Sequence, residues 1–66
     1  MELTVNGEPR TLQGPMHVHE LLAELGLGGR PCAVEVNHSL VPAKSHQDHL
    51  LQSGDQIEIV TLVGGG

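Results

Sequence analysis

One amphipathic helix constrains the fold of this 66-residue chain more than any other feature. Val18, Leu21, Leu22 and Leu25 follow the i, i+3, i+4, i+7 spacing that places all four on one face of a helix. Glycines and a proline follow this stripe within a few residues and predict where the helix ends. A single apolar stripe needs a second layer to pack against, so the rest of the chain must supply that layer.

Three other segments alternate between apolar and polar residues, which is the period of a half-buried strand. They cover residues 2–5, 32–37 and 57–63. Each therefore predicts a strand with one apolar face. The residues expected to point inward are Leu3, Val5, Cys32, Val34, Val36, Ile57 and Ile59.

Two shorter strands are predicted from turn signals. Asn6-Gly7 is typical of a two-residue hairpin and predicts a second strand over residues 10–13, with Leu12 inward. A turn at residues 37–39 leads to a short strand over residues 40–42, which Pro42 must end because it cannot donate to a ladder.

The elements together predict an α+β chain with the β-grasp (ubiquitin-like) fold: a mixed sheet of about five strands with one main helix packed across it. Residues 43–52 show no regular pattern beyond one possible helical turn, and Leu50 and Leu51 are expected to fill the core. We predict a single β-grasp domain over residues 1–63 and a flexible glycine tail over residues 64–66.

Composition excludes several classes of function. A chain of this size buries only about 60% of its unfolded surface, so an enzyme with a deep pocket of its own is disfavoured. The chain has no aromatic residue on which bases could stack, and its formal net charge is −5. This charge repels nucleic acids and anionic membranes and favours a partner with a basic face.

The single cysteine indicates a reducing compartment. Cys32 cannot form an internal disulfide, whereas small secreted domains usually carry several cysteines. The first residues alternate in polarity, so we expect neither a signal peptide nor a membrane span, and a cytoplasmic protein. Cys32 opens an apolar strand and is expected to be a small core residue rather than a reactive thiol.

Five histidines in so short a chain raise the question of a metal-binding site. His17 and His19 are two residues apart, and His46 and His49 are three apart. A metal site needs further ligands held in geometry, and neither pair lies near Cys32 in sequence. We predict no metal site and expect solvated surface histidines.

The ordered motifs of the chain resemble the ThiS family of sulfur carriers in thiamin thiazole synthesis, over nearly the whole length. They are Val18-His19-Glu20-Leu21-Leu22, Val36-Asn37, Val41-Pro42, Gly54-Asp55-Gln56-Ile57-Glu58-Ile59-Val60 and the terminal Gly65-Gly66.

This resemblance implies that the working group is the C-terminal carboxylate of Gly66, which carries an adenylate and then a thiocarboxylate. It implies three partners: an adenylyltransferase related to the ubiquitin activators, a sulfur donor protein and thiazole synthase. It also implies that the adenylyltransferase uses ATP, and that the carrier itself binds no cofactor and is no enzyme. Gly64 and Gly65 are expected to contact the partner.

The last strand also predicts a small docking patch. If Ile57 and Ile59 face the helix, then Glu58, Val60 and Leu62 face away from it. Two exposed aliphatic side chains beside the tail would suit a protein partner. A bulge in this strand would instead bury them.

Other functions remain open from the sequence. The small subunit of molybdopterin synthase is also a sulfur carrier with this fold and tail. A ubiquitin-like modifier would be joined to amines of other proteins, although Lys44 is the only lysine here to accept a chain. A plain binding module would make no use of the tail.

Overall fold

The computed structural model describes residues 1–62. It contains one α-helix, one 3₁₀ turn and five strands within those residues. In chain order the elements are β1 (Glu2–Val5), β2 (Glu8–Thr11), α1 (Val18–Glu24), β3 (Cys32–Val36), β4 (Ser39–Val41), the 3₁₀ turn (Ala43–Ser45) and β5 (Gln56–Thr61).

The strands form one mixed sheet in the order β2-β1-β5-β3-β4. The central pair, β1 and β5, is parallel, and the other neighbours are antiparallel. Helix α1 follows the first hairpin and contributes to a single core with the sheet. This arrangement confirms the predicted β-grasp fold.

The core lies between α1 and one face of the sheet. Val18, Leu21 and Leu22 are the buried residues of the helix, as the stripe predicts, and Leu25 is partly buried just after the last turn. The strands, the residue after β2 and the segment before β5 supply the remaining buried hydrophobic residues, which are Leu3, Val5, Leu12, Val34, Val36, Val41, Leu51, Ile57 and Ile59.

The second strand begins two residues earlier than the predicted range 10–13. Asn6 and Gly7 have φ values of 51° and 83°, so the turn contains only these two residues. Val5 is therefore paired with Glu8, and β2 starts at once. Pro9 is tolerated because β2 is an edge strand, and Leu12 is buried just beyond it as expected.

The start of α1 is held by an acidic residue in its first turn. The backbone N–H of His17 donates to Glu20 Oε1 at 2.8 Å, and His17 Nδ1 lies 2.9 Å from the same oxygen. These bonds to the ionised carboxylate lower the pKa of Glu20, the backbone bond contributing most. Glu20, three residues after His17, thus acts as the acid of a capping box.

One of two neighbouring leucines between the 3₁₀ turn and β5 differs from expectation. Leu51 is buried, but Leu50 is 45% exposed, so the expectation that both fill the core is wrong for Leu50. The chain is extended here, with Leu50 bridged to His17 and the Leu51 N–H donating to Met16 O at 2.9 Å. Successive side chains of an extended segment point to opposite sides, so only one of the pair reaches the core.

His46 is buried, contrary to the expectation of a solvated side chain. Its Nε2 lies 3.0 Å from Val41 O, and its own carbonyl accepts the His19 N–H at 3.0 Å. A buried polar ring is stable only when it has such partners. His46 therefore ties the 3₁₀ segment to β4 and to the start of α1.

Candidate partner-docking site

The candidate site is built on β5. Ile57 and Ile59 are buried under the helix, while Glu58 is exposed and Val60 is 60% exposed. Leu62, just after the strand, is 52% exposed. The strand has no bulge in its pairing with β3, so the predicted alternation is present and the three residues of the docking patch are accessible.

The other predicted site residues lie outside the described residues. Gly64, Gly65 and Gly66 follow Leu62 after Val63, so both the carboxylate of Gly66 and the end of the predicted 57–63 strand fall there. The described part of the last strand is Gln56–Thr61.

Pairing of β5 with β3, and of β3 with β4, adds three residues to the same open face of the sheet. Val60 lies opposite Ala33, and Glu58 lies opposite Glu35. Glu35 in turn lies opposite Leu40, which is 64% exposed. The docking face, defined as Ala33, Glu35, Leu40, Glu58, Val60 and Leu62, is therefore larger than the patch predicted from β5 alone.

The docking face carries two adjacent carboxylates. Glu35 and Glu58 are directly opposed on neighbouring antiparallel strands, where like charges repel. Within residues 1–62 the ion pair found joins His17 to Glu20, and no cation is paired with Glu35 or Glu58. The face thus combines exposed aliphatic side chains with uncompensated negative charge, which complements a partner bearing apolar and basic residues.

The end of β5 is anchored to the chain that precedes β3. Leu62 donates its backbone N–H to Pro31 O at 2.9 Å, continuing the β3–β5 ladder by one pair. Cys32 lies opposite Thr61, is half-buried and packs against the core. This placement agrees with its expected role as a small core residue.

The histidines of the described chain form no metal centre. The rings of His17 and His19 have centroids 6.1 Å apart, and His46 is committed to Val41 O. No group of three or more His, Cys, Asp or Glu side chains among residues 1–62 is arranged to hold a metal ion. No helix in this part of the chain is long and apolar enough to span a membrane.

The sequence matches the model of the ThiS family over residues 3–66. The chain belongs to the ThiS family. It is 30% identical to the sulfur carrier protein ThiS of Escherichia coli over 66 residues, and the match covers all of both chains. The crystal structure of a thiamine biosynthesis protein (ThiS) from Geobacter metallireducens superposes with a TM-score of 0.84 at 33% identity, also over the whole of both chains.

A longer relative is also similar to this member of the ThiS family. The thiazole synthase of Paramagnetospirillum magneticum is 44% identical over 66 residues, and the chain spans 20% of that protein's length. In that protein a segment similar to this β-grasp domain is part of the same polypeptide as the remainder of a thiazole synthase.

Proposed function

We propose that this protein is a sulfur carrier for the thiazole of thiamin, and that its working group is the carboxylate of Gly66. The observation that supports this most is the position of the exposed docking face in the chain: β5, which carries part of that face, ends at Thr61, and the glycine tail begins three residues later in sequence. A partner bound at this face would therefore hold the chain only a few residues before the tail. The protein acts as a carrier and co-substrate, and its partners perform the catalysis.

The proposed chemistry has two steps on the carboxyl group of Gly66. An oxygen of the carboxylate attacks the α-phosphate of ATP in the adenylyltransferase, and pyrophosphate leaves. A sulfur nucleophile at the oxidation level of sulfide, delivered by the donor protein, then attacks the carbonyl carbon. AMP leaves with one carboxylate oxygen, and a thiocarboxylate remains for thiazole synthase to use.

A glycine tail suits this chemistry because it has no Cβ atoms. The carboxylate must be placed in line with the α-phosphate, which depends on positioning more than on groups of the carrier. Residues without side chains can enter a narrow channel and adopt backbone angles closed to other residues. Gly64 and Gly65 fill this role in the proposal, which requires a free carboxylate on Gly66.

The direct test is the intact mass of the protein after incubation with the adenylyltransferase, ATP and a sulfur source. A thiocarboxylate makes the protein heavier by the difference between one sulfur and one oxygen atom. In cells, an isopeptide bond at Gly66 would favour a ubiquitin-like modifier, and a terminus that stays a free acid would favour a plain binding module. Transfer of the sulfur to thiazole synthase, rather than to a pterin, separates the two sulfur pathways.

Changing Val60 to Asp tests the docking face. Val60 is exposed, so we expect the domain to remain folded, while a charge in the apolar part of the face weakens binding to the adenylyltransferase at least about tenfold. Calorimetric titration gives the affinity, and a thermal melt reports folding. Thr61→Asp is the matched control, because Thr61 is exposed on the same strand but points to the other face. Unfolding by Val60→Asp would contradict the assigned face.

Glu35→Gln tests whether the acidic pair serves binding rather than the fold. Removing one of two opposed carboxylates relieves repulsion, so we expect stability to rise by about 0.2–1 kcal/mol. Affinity for the adenylyltransferase should fall about two- to tenfold, and more at low salt. Glu8→Gln, which removes the same charge on edge strand β2, is the control. Equal affinity for both variants would show that only net charge matters.

A further inference from the structure

The side chain of Asn6 joins two parts of the chain that are 53 residues apart in sequence. Asn6 directly follows β1 and has a φ of 51° in the turn to β2. Its Nδ2 donates to Ile59 O at 3.2 Å, and its Oδ1 accepts the Ile59 N–H at 2.8 Å. One side-chain amide therefore bonds both backbone polar groups of a single residue of β5.

These two bonds, called the Asn6 clamp below, replace a backbone pairing that β1 cannot provide. The parallel ladder between β1 and β5 pairs Thr4 with Gln56 and Val5 with Ile57. It is extended once by the Asn6 N–H, which donates to Ile57 O at 2.8 Å, and the chain then turns away into β2. The backbone N–H and C=O groups of successive residues in β5 point alternately toward β3 and toward β1. Those of Ile59 point to the β1 side, beyond the point where β1 ends. The Asn6 amide occupies that position.

The end of β5 is consequently held from both sides. Asn6 holds Ile59 on the β1 side, and Pro31 accepts the N–H of Leu62 on the β3 side at 2.9 Å. We infer that Asn6 is a positioning residue for the carrier reaction: it sets the place and direction of the end of β5, from which the glycine tail continues in sequence. This inference rests on the proposed function.

A second asparagine provides a matched comparison within the same fold. Asn37 lies in the turn after β3 with a φ of 53°. Its Oδ1 accepts the Gln56 N–H at 2.9 Å, and its Nδ2 donates to Asp55 Oδ1 at 3.0 Å. The two residues thus make the same number of side-chain bonds at opposite ends of β5, Asn37 at its start and Asn6 at its end.

Both asparagines can be replaced without straining the backbone of their turns. Glycine adopts a positive φ without strain, so Asn6→Gly and Asn37→Gly each remove the clamp and leave the turn possible. Asn6→Asp tolerates the same backbone and keeps the acceptor for the Ile59 N–H, but it loses the donor to Ile59 O. Asn6→Asp therefore keeps one of the two bonds, and it takes the place of Asn6→Gly in the kinetic comparison if Asn6→Gly does not fold.

Amide hydrogen exchange first checks the clamps in solution. Asn6→Gly should speed exchange at Ile59, and Asn37→Gly should speed it at Gln56, since each amide loses its partner. Unchanged protection of Ile59 in Asn6→Gly would overturn the inference at once.

The decisive measurement is ATP–pyrophosphate exchange by the adenylyltransferase as a function of carrier concentration, below the lowest melting temperature of the variants. We expect Asn6→Gly to lower kcat by about tenfold or more, because a small misplacement of the reacting group is costly. The KM for the carrier should change less than kcat, since the docking-face residues on β3 and β4 do not depend on the Asn6 bonds. Asn37→Gly should leave both constants within about twofold, and Asn6→Asp should be intermediate.

The outcomes separate the inference from the function on which it rests. Equal losses of kcat in Asn6→Gly and Asn37→Gly, or a change in KM alone, would overturn the positioning role and leave the carrier function intact. No exchange with the unsubstituted protein would instead refute the proposed function, and the inference with it.

Discussion

Deleting Gly66 should abolish adenylation of the protein while leaving the domain folded. The deletion shortens the reach of the chain by up to about 3.6 Å, and appending one alanine after Gly66 lengthens it by a similar amount. A misplacement of roughly 1 Å can already cost a hundredfold in rate. Both variants should therefore lose ATP–pyrophosphate exchange with the adenylyltransferase.

Gly65→Ala is a milder change in the same tail and is compared with these two variants. It keeps the chain length and adds one methyl group inside the proposed channel, so we expect reduced but measurable exchange. The melting curves of all three variants should match that of the unsubstituted protein, because residues at a chain end contribute little to stability. Normal exchange by the Gly66-deleted protein would refute the terminal-carboxylate mechanism and favour a plain binding module.

Leu21→Ala should largely unfold the domain. Leu21 is 1% exposed at the centre of the helical stripe, and truncating a buried leucine to alanine costs about 2–5 kcal/mol. A domain of this size has roughly 3–5 kcal/mol of stability from its core. Thermal and denaturant melts followed by far-UV circular dichroism measure the loss.

Leu50→Ala is the matched control for that substitution. It removes the same atoms from a side chain that is exposed, so stability should change by no more than about 0.5 kcal/mol. If the melting curves of Leu21→Ala and Leu50→Ala coincide, Leu21 does not contribute to the core.

Local periodicity was sufficient to predict the helix and three of the five strands, together with their inward faces. The i, i+3, i+4 spacing of Val18, Leu21 and Leu22 and the alternation of Ile57 and Ile59 with Glu58 and Val60 both appear in the structure. These patterns depend only on the geometry of a helix or a strand, so they can be read without knowing what packs against them. The accessible patch on β5 was predictable for the same reason.

Strand ends and irregular segments were less predictable. The start of β2 depends on the length of the turn at Asn6-Gly7, which places Glu8 opposite Val5. Leu50 and Leu51 are chemically alike, and only the bridge between Leu50 and His17 decides which of them points into the core. His46 is buried because Val41 and His19 offer it partners from other elements.

The sequence by itself therefore determined the helix, the inward faces of the strands, the fold class and the family. Only the tertiary structure decided which distant residues share a surface or a bond. It placed Glu35 beside Glu58, added Leu40 to the docking face, and brought Asn6 to Ile59. These relations depend on the pairing of strands far apart in sequence, and the apolar period along one strand carries no information about the register of its neighbours.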